Sequence, residues 1–269
     1  MINKYYSGLV LCLFFMLSLI SLPLGYTENL KPLMTEDANV ITPGTLQLRI
    51  SAEYLEDKNL AFEINNKDRD VAVLPGLNIN LGLSKIVEIQ AYIDGLYVDE
   101  EGYDSAYGGG DLCLFTKVKF KQETNSPAAG FRFGVKLPTA SNEDRLGTDE
   151  TDFYSWLLLS KHFNKASCHL NLGLGILSDP HQNSSQDDVF CYGLGFVIPL
   201  SSPINLAIEV NGQAASGENN NFSHALVGLQ IKNKDLSWDL GVSGGLTDES
   251  QDWSIKIGLT KDFDNFIKL

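Results

Sequence analysis

From Gly44 almost to the end of the chain, apolar and polar residues alternate with a period of two. In TLQLRISAEY, Leu46, Leu48, Ile50, Ala52 and Tyr54 share one parity, and Gln47, Arg49, Ser51 and Glu53 share the other. Successive side chains of a strand point to opposite faces, so this is a strand with one apolar face, and an amphipathic helix is excluded here. The pattern recurs: Val87, Ile89, Ala91 and Ile93 against Glu88, Gln90, Tyr92 and Asp94; Phe131, Phe133, Val135 and Leu137 against Arg132, Gly134 and Lys136; Leu170, Leu172, Leu174 and Ile176 against His169, Asn171, Gly173 and Gly175; Trp253, Ile255, Ile257 and Leu259 against Ser254, Lys256, Gly258 and Thr260. The stretches around 153–161 and 222–231 alternate less cleanly. Together the segments predict about twelve strands of roughly ten residues, a length suited to tilted membrane strands. Globular strands are nearer five or six residues.

A soluble sandwich would turn the apolar face inward; an outer-membrane barrel would turn it to lipid and the charged face to the lumen. The connections decide between them. Links 56–70, 99–110, 139–151, 178–188, 214–221 and 247–251 are long and mostly acidic, whereas those around Ser84-Lys85, Thr124-Asn125, Asn164-Lys165, Ser201-Ser202 and Asn233-Lys234 are tight. Long loops at one end and short turns at the other are the outer-membrane pattern, with both termini on the short-turn, periplasmic side. The prediction is an all-β chain: a closed antiparallel up-and-down transmembrane β-barrel over 44–263.

The polar face then becomes a lumen. It is rich in glycine, as crowded interiors require. Its charged residues, Arg49, Glu88, Asp94, Lys117, Lys119, Arg132, Lys136, Glu209, Asp239 and Lys256, are the candidate lumen-lining groups for solute selectivity. Lys117, Lys119 and Lys121, with Arg132 and Lys136 on the next strand, read in two ways. They form a basic wall that attracts anionic solutes, or they are neutralised by facing acids; the second is favoured, because mixed interior charge is expected whether or not solute passes. Trp156, Trp238 and Trp253 are expected in interfacial aromatic girdles.

The N-terminus carries a different signal. Lys4 precedes an apolar run from Gly8 to Leu24, then Gly25 and Thr27, which predicts a secretory signal peptide over 1–27. Residues 28–43 read as an irregular lead-in broken by Pro32 and Pro43, and 264–269 as a C-terminal tail. Removing the signal moves the formal charge from −14 to −15, a poor match for nucleic acid. Cys113, Cys168 and Cys191 remain, an odd number on mismatched faces with no metal-ligand spacing, so neither a disulfide framework nor a metal centre is expected. The acidic loops, including Asp99-Glu100-Glu101, lack EF-hand spacing. No Ser lies in a G-x-S-x-G elbow, and His162 beside Ser160 and His169 beside Asn171 read as satisfied or solvated histidines, so no catalytic residue and no cofactor are predicted.

Several blocks also resemble a known family: KPLMTEDANVITPGTLQL (31–48), LPGLNINLGLSKIVEIQ (74–90), GGGDLCLFTKVKF (108–120), GVKLPTASNEDRLGTDETDFYSWLLLSKHF (134–163) and HLNLGLGIL (169–177) are similar, in the same order, to the outer-membrane family named for the MetA pathway of phenol degradation. The resemblance covers roughly residues 30–263, and its most specific part is 134–163. It implies a Gram-negative outer-membrane barrel and uptake of small molecules, aromatic ones among them, without naming a substrate. Such barrels usually end on an aromatic residue, and here Phe263 is followed by six more. The expected function is passage of small hydrophilic or aromatic molecules through the lumen of a non-enzymatic porin-like transporter. Its expected partners are outer-membrane lipid, lipopolysaccharide, the barrel-assembly machinery and the solute. The alternatives are a closed structural or surface-binding barrel, and a soluble periplasmic β carrier.

Overall fold

The computed structural model describes residues 31–63, 68–182, 185–215, 220–233 and 235–268; the expected signal peptide, 1–27, lies outside them. The described chain forms strands β1 (Leu46–Glu56), β2 (Arg69–Gly82), β3 (Val87–Glu100), β4 (Ala106–Gly109), β5 (Leu112–Lys121), β6 (Ala128–Leu137), β7 (Asp152–Phe163), β8 (Ala166–Ser178), β9 (Gln186–Ser201), β10 (Ile204–Ala215), β11 (Phe222–Asn233), β12 (Leu236–Gly245) and β13 (Trp253–Phe263). Successive strands pair antiparallel, except that β4 and β5 both pair with β3, and β13 closes on β1 with Leu46 opposite Phe263 and Glu56 opposite Trp253.

The short β4 does not add a thirteenth stave. Ala106–Gly109 pairs with Gly95–Val98 of β3, and Cys113–Val118 of β5 pairs with Val87–Tyr92 of the same strand. β4 and β5 are one stave broken at Gly110-Asp111, which leaves a closed barrel of twelve. The sequence placed 99–110 wholly in a loop; β3 instead runs on to Glu100 and 106–109 pairs with it.

Closure leaves only the short β4 paired on a single side, and it divides the side chains by parity. Leu174 (62% exposed), Phe131, Leu240 and Ile257 point outward, and on the same strands Asn171, Asp239 and Ser254 are buried inside. An exterior of exposed Leu, Ile, Val and Phe with a polar interior is the inverse of a water-soluble core. Trp238 and Trp253 lie on that exterior, as expected. Trp156 does not. It faces the lumen, stacked on Tyr154 at 5.4 Å between ring centroids. On β7 both parities are apolar, so the period there carries no information about which face is which.

Candidate functional site

The lumen is not empty. The lead-in passes into it, and because an irregular segment cannot satisfy its own amides, the wall supplies acceptors. Glu209 of β10 takes the backbone N–H groups of Leu33 (2.5 Å), Met34 (3.1 Å) and Thr35 (2.6 Å) on one carboxylate. Asn171 of β8 accepts from Glu36 N at 2.7 Å and donates back to Glu36 O at 2.9 Å. Ser160 of β7 accepts from Ala38 N, Glu88 of β3 accepts from Ile41 N, and Gln230 of β11 donates to Lys31 O. Glycines in the wall give the segment room. A Cβ on Gly82 would collide with the carbonyl of Thr42, and one on Gly228 would lie 2.9 Å from Leu33.

The candidate charges divide by what they touch. Lys117 and Glu88, both fully buried, meet at 3.2 Å, and the lead-in completes their cluster with Glu36 at 3.2 Å from Lys117 and Lys31 at 3.6 Å from Glu88. Arg49 binds Asp239 at 2.6 Å, Lys256 binds Glu53 at 2.7 Å, and Lys136 bridges Asp152 (2.8 Å) and Asp111 (3.3 Å). Asp94 lies beside Gly76 with no ion pair among the described residues. Lys119 lines a recess at the short-turn rim with residues 40–43 of the lead-in. Arg132 makes one polar contact, from Nε to Gln90 at 2.7 Å, and otherwise lies on aromatic faces: its guanidinium is 3.7 Å from the Phe115 ring centre and 4.9 Å from that of Trp156.

The lead-in separates two cavities. One, of about 370 Å³ on the short-turn side, is lined by Gln47, Arg49, Asn80, Asp239 and Asp262. The other, of about 260 Å³ on the long-loop side, is lined by Lys58, Arg132, Tyr154, Trp156, Tyr192 and Phe222. Met34 and Glu36 border both.

The long-loop mouth is narrowed as well. Loop 138–151 folds inward, burying Ala140 and Leu146 against Val71 and Val98. Glu100 then ties the loops together, binding Arg145 at 2.7 Å and Arg69 at 3.3 Å, while Arg145 also reaches Glu63 at 3.2 Å.

Two solved outer-membrane proteins superpose on most of this barrel. An outer-membrane channel from Pseudomonas putida F1 superposes with a TM-score of 0.67 at 15% identity, over 87% of this chain and 100% of that one. The NanC porin superposes with a TM-score of 0.55 at 10% identity, over 80% and 98%. This chain has the fold of an outer-membrane barrel. No protein-family model and no curated protein matches its sequence.

One cluster has the residue types of a hydrolase. His169, fully buried, contacts Ser160 through Nδ1 and Ser167 through Nε2, each at 2.9 Å, and Asp37 lies 3.8 Å from Nδ1. Ser160 is engaged by the backbone of Ala38 and lies beneath the lead-in. The contacts that the sequence did not reveal are those of the lead-in: Glu36 and Asp37 carry no motif, and their partners in the wall lie more than fifty residues away. Phe115 was findable by parity, since it falls on the face of Lys117 and Lys119 in β5; Trp156, on a strand apolar on both faces, was not.

Proposed function

We infer that this chain is an outer-membrane channel that passes small hydrophilic or aromatic molecules through its lumen, with the lead-in as the barrier that must move. The observation that carries the reading is the pair of lumen cavities separated by one irregular segment held by side-chain hydrogen bonds. Such a segment has no intrinsic secondary structure to lose when it shifts, unlike a stave of the wall. The sequence blocks quoted above support placement in the MetA-pathway family, and the signal-like N-terminus supports export, with outer-membrane lipid, lipopolysaccharide and the barrel-assembly machinery as partners. The exposed aliphatic belt argues against a soluble carrier. The Ser–His cluster serves to hold the lead-in, not to hydrolyse a substrate.

The test is single-channel conductance of the refolded protein in a planar bilayer, with ion selectivity from reversal potentials. Discrete steps support the channel. Silence from protein shown to be folded and inserted would favour the second reading, a closed barrel with structural or surface-binding work, which the inward-folded loop 138–151 supports.

A further inference from the structure

We propose that the long-loop-side cavity is a binding site for a small organic anion built on a planar ring, an aromatic carboxylate such as benzoate. The proposal deepens the channel reading by naming the class of solute. Its first support is an imbalance of charge. Lys31, Arg49, Lys117, Lys136 and Lys256 each have a carboxylate within 4 Å. The two cations lining this cavity, Arg132 and Lys58, have none among the described residues, and both rest on aromatic rings instead; Lys58 Nζ stands 4.3 Å from the centre of Phe222. A cation–aromatic contact leaves the remaining N–H donors free for an anion. Glu36 borders the cavity and its charge acts on Arg132 from beyond 4 Å, but its carboxylate is bonded by Lys117, Gln90 and the hydroxyl of Tyr92.

The second support is a donor with nothing to bind. Asn211 lines the same cavity and its Oδ1 accepts from Thr35, yet its buried Nδ2 has no partner. An amide N–H left unpaired inside a protein costs free energy that an acceptor atom would recover.

The third is the shape of the apolar walls. Tyr154 and Trp156 stack nearly parallel, 6° apart, and present a flat surface, with Tyr192 and Phe222 completing the lining. A cavity of roughly 150 Å³ holds benzene; this one, at about 260 Å³, has room for a ring and its carboxylate. Small inorganic anions would leave the aromatic surface unused, and neutral aromatics would leave the two cations unpaired.

The experiment is calorimetric titration of benzoate into the folded full-length mature protein in detergent, alongside Arg132→Gln and Lys58→Gln. Acetate and benzyl alcohol serve as the anion without a ring and the ring without an anion. Saturable benzoate binding is expected, weakened about tenfold or more by each substitution, as loss of a charge-assisted hydrogen bond predicts. Acetate and benzyl alcohol are each expected to bind at least about tenfold more weakly. Heat-modifiable electrophoretic mobility verifies folding. If Arg132→Gln does not fold, Lys58→Gln, in a loop outside the strands, carries the comparison. Absence of saturable benzoate binding, affinity unchanged in the folded variants, or benzoate bound no better than acetate would each overturn the proposal. Binding without conductance would defeat the channel reading and leave the site standing; conductance without benzoate binding would do the reverse.

Discussion

Thr35 donates its backbone N–H to Glu209 at 2.6 Å, across 174 positions of sequence and in the middle of the lumen. The same carboxylate collects Leu33 and Met34, so one side chain of β10 anchors three consecutive amides of the lead-in. Three converging N–H groups are a preorganised anion cradle, here filled by the protein's own acid. In Glu209→Ala the donors are left without acceptors. Two strong charge-assisted bonds are worth about 3 kcal/mol, equivalent to about two orders of magnitude in the ratio of seated to released lead-in. Expected is a barrel that still folds and conducts more often or at a higher level, with the lead-in open to protease. Conductance and cleavage both unchanged would show that Glu209 does not hold the barrier.

The short-turn rim offers a steric version of the same test. Gly82 lies against the backbone oxygens of Ile41 and Thr42, whereas Gly109 has nothing within 4 Å of where its Cβ would be. Backbone cannot yield as the end of a flexible side chain does. Gly82→Ala is therefore expected to push the lead-in off the rim and raise conductance, and Gly109→Ala to behave as wild type. Equal behaviour of the two variants, in conductance and in protease sensitivity of residues 31–43, would contradict this.

How much of this was legible depended on what lay on each face. Strands such as β8 and β13 announced themselves because lipid contacts one side and polar neighbours the other, so parity alone assigned Leu174 outward and Asn171 inward. On β7, Tyr154, Trp156 and Leu158 turn inward while Phe153, Leu157 and Leu159 share the other face, and two apolar faces erase the signal. The Glu88–Lys117 pair followed from adjacent strands, since the two residues stand opposite each other in the β3–β5 register. Arg49 and Asp239 are two strands apart and meet over Gly258, a contact that register between neighbours does not predict. The lead-in was the least readable. Its conformation is set by side chains from six different strands, and nothing local in KPLMTEDANVITP encodes them.

Glu100 is the hinge pin of the long-loop mouth. It is nearly fully buried between Arg69 and Arg145, and Arg69 also donates to the carbonyl of Arg145. Removing one partner of a buried ion pair costs about 3–5 kcal/mol, because the guanidinium groups keep their desolvation and lose their counter-charge. Glu100→Gln is expected to free loop 138–151 while leaving the staves intact. Hydrogen exchange of residues 139–149 should accelerate with no change over β8 to β11. Uniform acceleration would mean global destabilisation, and none would mean that the packing of Leu146 suffices.

The last prediction concerns pH at the long-loop-side cavity. Burial holds the Lys58 ammonium down to about 8; the Arg69 charge pushes the same way and Glu53 opposes them. His224 of β11 and Arg132 of β6 line the same cavity. Below about pH 8 Lys58 is charged and able to pair with a bound carboxylate. Above it that charge is lost, while benzoate itself stays ionised. Benzoate affinity is therefore expected to fall as pH rises from 7 to 9, and Lys58→Gln should flatten that dependence. Stability moves the opposite way. The folded value lies below the ordinary 10.5, so between about 8 and 10.5 the unfolded chain binds more protons, and folding gains with rising pH across that window. A bound anion favours the charged lysine, and so narrows the gap between the two states. Calorimetry at three pH values reads the first trend, and thermal unfolding at the same values reads the second. Affinity that does not fall through pH 8 in the wild type, or that falls equally in Lys58→Gln, would remove this lysine from the anion site.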